Sequence, residues 1–222
     1  MTKHLILCPL PHEGKALRQS FQELGHTCHP LNIKGQNAWD IPTLSTVLAV
    51  GGHGKALFAA RSQFFIQNLK GLELLICAGS AGALDAQLHY GDVVVAQSTV
   101  EHDYQLKFKP QSLPDFPGSP NCLQKIEALK IQNTFIGKIA SGDEDILTRQ
   151  RAQEIWDLTG GALAVAWEGA GGARAAQLSQ LEYLEIRGIS DRCDSQTFED
   201  FKVHFQGAMQ KVAKTLLQVL TD

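Results

Sequence analysis

Apolar residues follow two alternating rhythms along this chain. Short, nearly continuous apolar runs recur at His4–Cys8, Thr46–Val50, Leu74–Ala78, Asp92–Ala96, Phe135–Ile139, Leu163–Trp167 and Tyr183–Ile189. Runs of this kind predict strands covered on both faces. Between them the apolar spacing changes to that of one helix face: Leu17, Phe21 and Leu24; then Phe58, Phe65 and Leu69; then an Ala-rich stretch from Gly169 to Leu178. The last stripe is the longest, with Phe198, Phe201, Phe205, Ala208, Val212, Leu216 and Leu220 on one side. Strands alternating with helices predict an α/β fold. The stretch Tyr104–Pro120 breaks the rhythm with Pro110, Pro114, Pro117 and Gly118 around Phe108 and Phe116, and predicts a long loop.

With 222 residues the chain is expected to form a single domain, 1–222. The net charge of −3 and the lack of Lys/Arg clusters argue against nucleic acid or a membrane surface as partner. No apolar run reaches transmembrane length, and the first apolar stretch is too short for a signal peptide. Five widely spaced cysteines without a Cys-x-x-Cys pair fit a reduced, cytoplasmic protein. His26, Cys28 and His29 crowd together but match no zinc spacing, so a polar turn before Pro30 is the simpler expectation and no metal is expected.

Nucleotide-loop motifs fail. Gly51-Gly52-His53-Gly54-Lys55 resembles half a P-loop, but Ala56 stands where a Mg²⁺-binding hydroxyl belongs and Ala49 where the first glycine belongs. The glycines are expected to serve a tight strand-to-helix turn. Gly-x-Ser-x-Gly is absent, so Ser80 in Ala78-Gly79-Ser80-Ala81-Gly82 reads as a binding hydroxyl. Cys193 reads as a structural thiol.

The carboxylates are more informative. Glu13, Glu168 and Asp191 each follow the end of a predicted strand. Strand ends of an open α/β sheet converge on a ligand crevice, and acids gathered there suit acid–base chemistry on a polar small molecule. Each also has a plainer reading. Glu13 can cap a helix N-terminus, Asp191 can pair with Arg187 or Arg192, and Glu168 needs some partner if buried.

In this order the chain resembles the nucleoside phosphorylase/nucleosidase superfamily, and within it the 5′-methylthioadenosine/S-adenosylhomocysteine nucleosidases. The resemblance rests on Gly51-Gly52-His53-Gly54-Lys55, Ala78-Gly79-Ser80-Ala81-Gly82-Ala83-Leu84, Gly91-Asp92-Val93-Val94-Val95, His102-Asp103, Ser141-Gly142-Asp143, Val165-Ala166-Trp167-Glu168-Gly169-Ala170 and Arg187-Gly188-Ile189-Ser190-Asp191. It implies a three-layer α/β/α sandwich with a mixed central sheet, a homodimer whose Tyr104–Pro120 loop caps the neighbour's pocket, and hydrolysis of a purine N-glycosidic bond without cofactor or metal. By position it makes Glu13 the general base acting on water and Asp191 the acid that protonates the leaving purine. Glu168 would hold the ribose hydroxyls, Ser80 and Ser190 would supply hydroxyls near the acids, and the backbone at Ile146 would pair with the base edge. Ala81, Gly82, Asp145, Trp167 and Phe198 complete the implied substrate-binding set.

The chain also departs from the pattern. Asp145 stands where a Phe commonly stacks on the base, Ala166 where a further Glu is frequent, and Trp167 where a slimmer Met faces the sugar. These changes alter the pocket walls and leave the acids. Phosphorylases of this superfamily clamp phosphate with an arginine just upstream of the Gly-Ser pair; Cys77 occupies that place, which favours water as the nucleophile. The alternatives are phosphorolysis, a nucleosidase for another purine nucleoside (futalosine-like or hopanoid-linked), and a nucleoside-binding module without turnover.

Overall fold

The computed structural model describes residues 2–105, 107–108 and 111–221. In chain order it contains β1 (His4–Cys8), α1 (Pro11–Glu23), β2 (His29–Ile33), β3 (Gln36–Ile41), β4 (Thr46–Val50), α2 (Lys55–Asn68), β5 (Leu74–Ala83), β6 (Val93–Glu101), β7 (Asp115–Pro117), α3 (Pro120–Leu129), β8 (Thr134–Ser141), α4 (Arg149–Thr159), β9 (Ala164–Ala166), α5 (Gly169–Leu178), β10 (Glu182–Asp191) and α6 (Thr197–Leu220). All seven strands expected from the apolar runs form, and β1 and β4 have the expected bounds. The fold is the α/β/α arrangement with a mixed central sheet.

Side-chain alternation along the strands assigns the two helical layers. Ile6 and Cys8 of β1, Ile76 and Ala78 of β5, and Leu184 and Ile186 of β10 pack under α1, α3 and the long stripe of α6. Leu5 and Leu7, Leu75 and Cys77, and Tyr183 point the other way, under Phe58 and Phe65 of α2 and the alanines of α5. The small residues of α5 let it lie close. A Cβ on Gly171 would stand 2.3 Å from the Lys55 carbonyl oxygen of α2.

The sheet is not a simple open one. From β5 it runs outward through β1, β4, β3 and β2. In the other direction it closes on itself, because β5 pairs with β10 and with β9, and β10, β6, β8 and β9 pair in turn. β5 runs parallel to β1 and β10 but antiparallel to β9, with Gly82 opposite Val165. The end of β9 therefore crosses the end of β5. This closure, rather than a uniformly parallel sheet, brings the strand ends together.

Three elements differ from expectation. β5 does not turn at Gly79 but continues through Ser80 to Ala83. His29–Ile33 forms a strand rather than a polar turn, with only Ile33 buried, and pairs with β3 across Lys34-Gly35. His26 bonds Thr43 while Cys28 lies near the Arg18 carbonyl, so the three crowded residues face different partners. In the Tyr104–Pro120 loop, β7 adds to β6, with Phe116 buried and Phe108 fully exposed; Pro110 lies outside the described residues.

Candidate active site

β1 ends at Cys8 and the chain turns directly into α1, with Pro11 at its start. Glu13 lies in the first turn of α1, 2% exposed, and its Oε2 accepts the Leu10 backbone N–H at 2.9 Å. The capping role is therefore real, but it uses one oxygen only. Oε1 accepts from the Ser80 backbone N–H at 2.8 Å and the Ser80 hydroxyl at 2.9 Å, both from β5. Gly79 makes this approach possible. A Cβ there would stand 2.6 Å from Glu13 Oε1 and 2.8 Å from Arg187 Nη1.

Glu168 sits between β9 and α5, 3% exposed. The glycine turn before α2 holds it: His53 Nδ1 lies 3.1 Å and the Gly54 N–H 3.2 Å from Oε1. Gly52 and Gly54 have φ of 94° and 81°, which a side chain rarely adopts, so the turn requires glycine as the sequence implied. Arg187 Nη2 reaches Glu168 Oε2 at 3.4 Å. The partner that a buried Glu168 needs is thus internal. His53 also stacks on Trp167, with ring centroids 4.2 Å apart.

Asp191 ends β10. It pairs with neither Arg187 nor Arg192; the pairing expected as its plainer reading is absent among the described residues. Its carboxylate accepts from the Ser190 hydroxyl at 2.9 Å, the Cys193 N–H at 3.1 Å and the Thr197 hydroxyl at 3.4 Å. Burial pushes its pKa above the ordinary carboxylate value, and the charge of Asp200 adds to this; the three donors act against both. Cys193 adopts φ 54° and is 1% exposed, and burial pushes its thiol up, so it is a packed thiol rather than a reactive one.

These groups line one cavity of about 290 Å³. Glu13, Ser80, Ala81, Gly82, Asp145, Ile146, Trp167, Glu168, Ser190, Asp191 and Phe198 all border it. Every site residue expected from the sequence is thereby brought to one place. Asp145 is exposed, Ile146 is buried, and the Phe198 ring is largely exposed with the Lys202 ammonium 3.8 Å above it. No described residue of the Tyr104–Pro120 loop borders this cavity. Among the described residues no three His, Cys, Asp or Glu side chains form a metal-binding group, and no helix is long and apolar enough to cross a membrane.

Sequence reasoning missed two members. Arg187, 1% exposed, borders the cavity and carries a charge at any working pH. His53 borders it too, through a turn read only as a turn. A cleft that brings buried Glu13 and Glu168 together with Asp191, whose burial favours its protonated form, can pass a proton in two directions on one bound molecule.

Comparison with known proteins bears on this geometry. The model of the phosphorylase superfamily matches residues 3–221. A 5′-methylthioadenosine/S-adenosylhomocysteine nucleosidase of Thermotoga maritima is 29% identical over 160 residues, 72% of this chain and 72% of that protein. One from Staphylococcus haemolyticus is 28% identical, covering 78% of this chain and 82% of its own length. Among solved structures, the S. pneumoniae 5′-methylthioadenosine/S-adenosylhomocysteine nucleosidase with a transition-state inhibitor superposes with a TM-score of 0.87 at 26% identity, over 99% of this chain and 98% of the other. The futalosine hydrolase of Helicobacter pylori superposes with a TM-score of 0.80 at 23% identity, over 98% and 97% of the two chains, a likeness of fold.

Proposed function

The chain belongs to the phosphorylase superfamily, and from that premise we propose that it is a nucleosidase: it hydrolyses the N-glycosidic bond of a purine nucleoside of adenosine type, carrying a 5′-thio or otherwise modified group, and releases the base and a ribose derivative. The observation that carries this reading is the placement of Glu13 and Asp191 in one cavity, Glu13 held by Ser80 and the Leu10 N–H and Asp191 by Ser190, Cys193 and Thr197.

Glu13 is an acceptor with three donors on it. A water held by it can give up a proton while attacking the anomeric carbon. Cleavage passes through an oxocarbenium-like state, and the buried carboxylates at 13 and 168 stabilise its positive charge. Asp191, whose desolvation favours the protonated form, delivers a proton to the departing purine. Ser190 donates to Asp191 and fixes its orientation. Glu168 accepts from the ribose hydroxyls, with His53 and Gly54 holding it in place.

Water rather than phosphate is the nucleophile in this reading. Cys77 is not the arginine of a phosphate clamp, and Arg187, the nearest cation to it, is engaged with carboxylates. Relatives named as 5′-methylthioadenosine/S-adenosylhomocysteine nucleosidases support the 5′-thio substrate, and a homodimer is part of the same proposal. The test is a Glu13→Gln protein. It is expected to bind nucleoside and to lose turnover by about 10²–10⁴-fold; full activity in that variant overturns the assignment.

A further inference from the structure

A fully buried carboxylate stands behind this site and takes no part in the mechanism above. Glu185 of β10 is 0% exposed. It lies two residues before Arg187, on the same face of the strand, under α5. Three elements form its slot. The Thr99 hydroxyl of β6 donates to Oε2 at 2.6 Å, Arg187 Nε donates to Oε1 at 2.8 Å, and Gly169 of α5 leaves room, since a Cβ there would stand 2.0 Å from Oε2.

Arg187 has its shortest contact here. Its other contacts are longer: 3.3 Å to the Ser80 carbonyl, 3.3 Å to Cys77 Sγ and 3.4 Å to Glu168. A planar guanidinium gripped at Nε has its two remaining nitrogens aimed by that grip. They point toward Ser80 and Glu168, at the back of the cavity.

We propose that Glu185 is a positioning residue of the site: it orients the Arg187 guanidinium and takes up part of its charge, so that Arg187 draws less on Glu13 and Glu168, the carboxylates that meet the ligand. This rests on the nucleosidase reading for its catalytic consequence, but the grip on Arg187 does not. A buried arginine needs anions around it. If Glu185 did not supply one, the charge would fall on Glu13 and Glu168, the groups required to take a proton and to face a cationic transition state. The groups facing this pair are Cys8 of β1, Glu13 of α1, Cys77 of β5, Thr99 of β6, Glu168 before α5 and Tyr183 of β10. Burial pushes Glu185 up, and Arg187 and Thr99 pull it back.

Glu185→Gln tests the idea, because a glutamine keeps the shape and can still accept from Arg187 Nε. Its base-release profile is expected to show kcat lowered roughly three- to tenfold, KM little changed, and the acid limb moved to lower pH by about one unit, since an uncancelled cation opposes protonation of nearby carboxylates. Glu185→Asp keeps the charge and is expected to leave the limb at its wild-type pH, even with a reduced rate. A Glu185→Gln protein with wild-type kcat and limb overturns the proposal. If that variant does not fold, Thr99→Val removes one donor from Glu185 and is expected to move the limb the same way by less; no movement overturns it equally. The Arg187 Nε–H resonance in NMR reads the grip without substrate, expected far downfield in the wild type and displaced upfield in Glu185→Gln. Wild-type protein that releases no base from any nucleoside sinks the nucleosidase reading alone; an unmoved Nε–H resonance sinks the role of Glu185.

Discussion

Gly79→Ala puts the geometry of the acid site under direct strain. Gly79 is not among the residues with positive φ, so alanine can adopt its backbone and the effect is one of space. The new Cβ would stand 2.6 Å from Glu13 Oε1 and 2.8 Å from Arg187 Nη1. A carbon–oxygen contact needs roughly 3.3 Å, so the carboxylate must retreat by about 0.7 Å. Such a retreat stretches the Ser80 N–H contact from 2.8 Å to beyond a hydrogen bond. A displacement near 1 Å at a reacting group costs about 10²-fold in rate. Overpacking of a tight interior costs about 1–3 kcal/mol of stability, or roughly 2–4 °C in melting temperature per kcal/mol for a chain of this length. The assay is kcat/KM for base release together with thermal melting. Gly207→Ala serves as control, because nothing lies within 4 Å of its added carbon. Gly79→Ala protein within about threefold of wild-type kcat/KM would refute the claim that Glu13 must reach Ser80.

Asp191→Asn is expected to lower activity by about 10²–10⁴-fold while raising the melting temperature at neutral pH. The folded pKa lies above the unfolded 3.8, so stability falls as pH rises from that value through the folded pKa; the gain from asparagine should therefore vanish in acid. Asparagine fits the same partners, accepting from the Cys193 N–H and donating to the Ser190 hydroxyl; an unchanged melting curve at both pH values would contradict this. His53→Ala removes a donor from Glu168 and the stack on Trp167, so it is expected to raise KM for ribonucleosides by roughly tenfold and for their 2′-deoxy analogues by less, read from parallel kinetics.

How much of this was legible in the sequence varies with the physics behind each element. Central strands showed as apolar runs because both faces are buried. β2 did not, since only Ile33 of its five residues is buried and Pro30 lies within it. α4 was missed because only Ala152, Ile155 and Thr159 face inward, too thin a stripe to read. The acids were legible because each follows a strand. Arg187 was read as a candidate ion-pair partner of Asp191 and as part of a family motif, not as a wall of the cavity. Its place in the site comes from pairing: β10 sets Arg187 beside Gly79 and Glu185 beside Cys77, a register that no spacing along the chain reveals. The closure of β5 onto β9 and β10, which gathers the site, depends equally on long-range pairing.

The most direct test is base release by the wild-type protein from methylthioadenosine, S-adenosylhomocysteine, adenosine, inosine and 5′-deoxyadenosine, with and without inorganic phosphate, read by chromatography. Adenine released from a 5′-thio nucleoside at a rate indifferent to phosphate, with free sugar as the second product, is the predicted result. Release only with phosphate, yielding a sugar 1-phosphate, or no release from any of the five by folded protein, would contradict it.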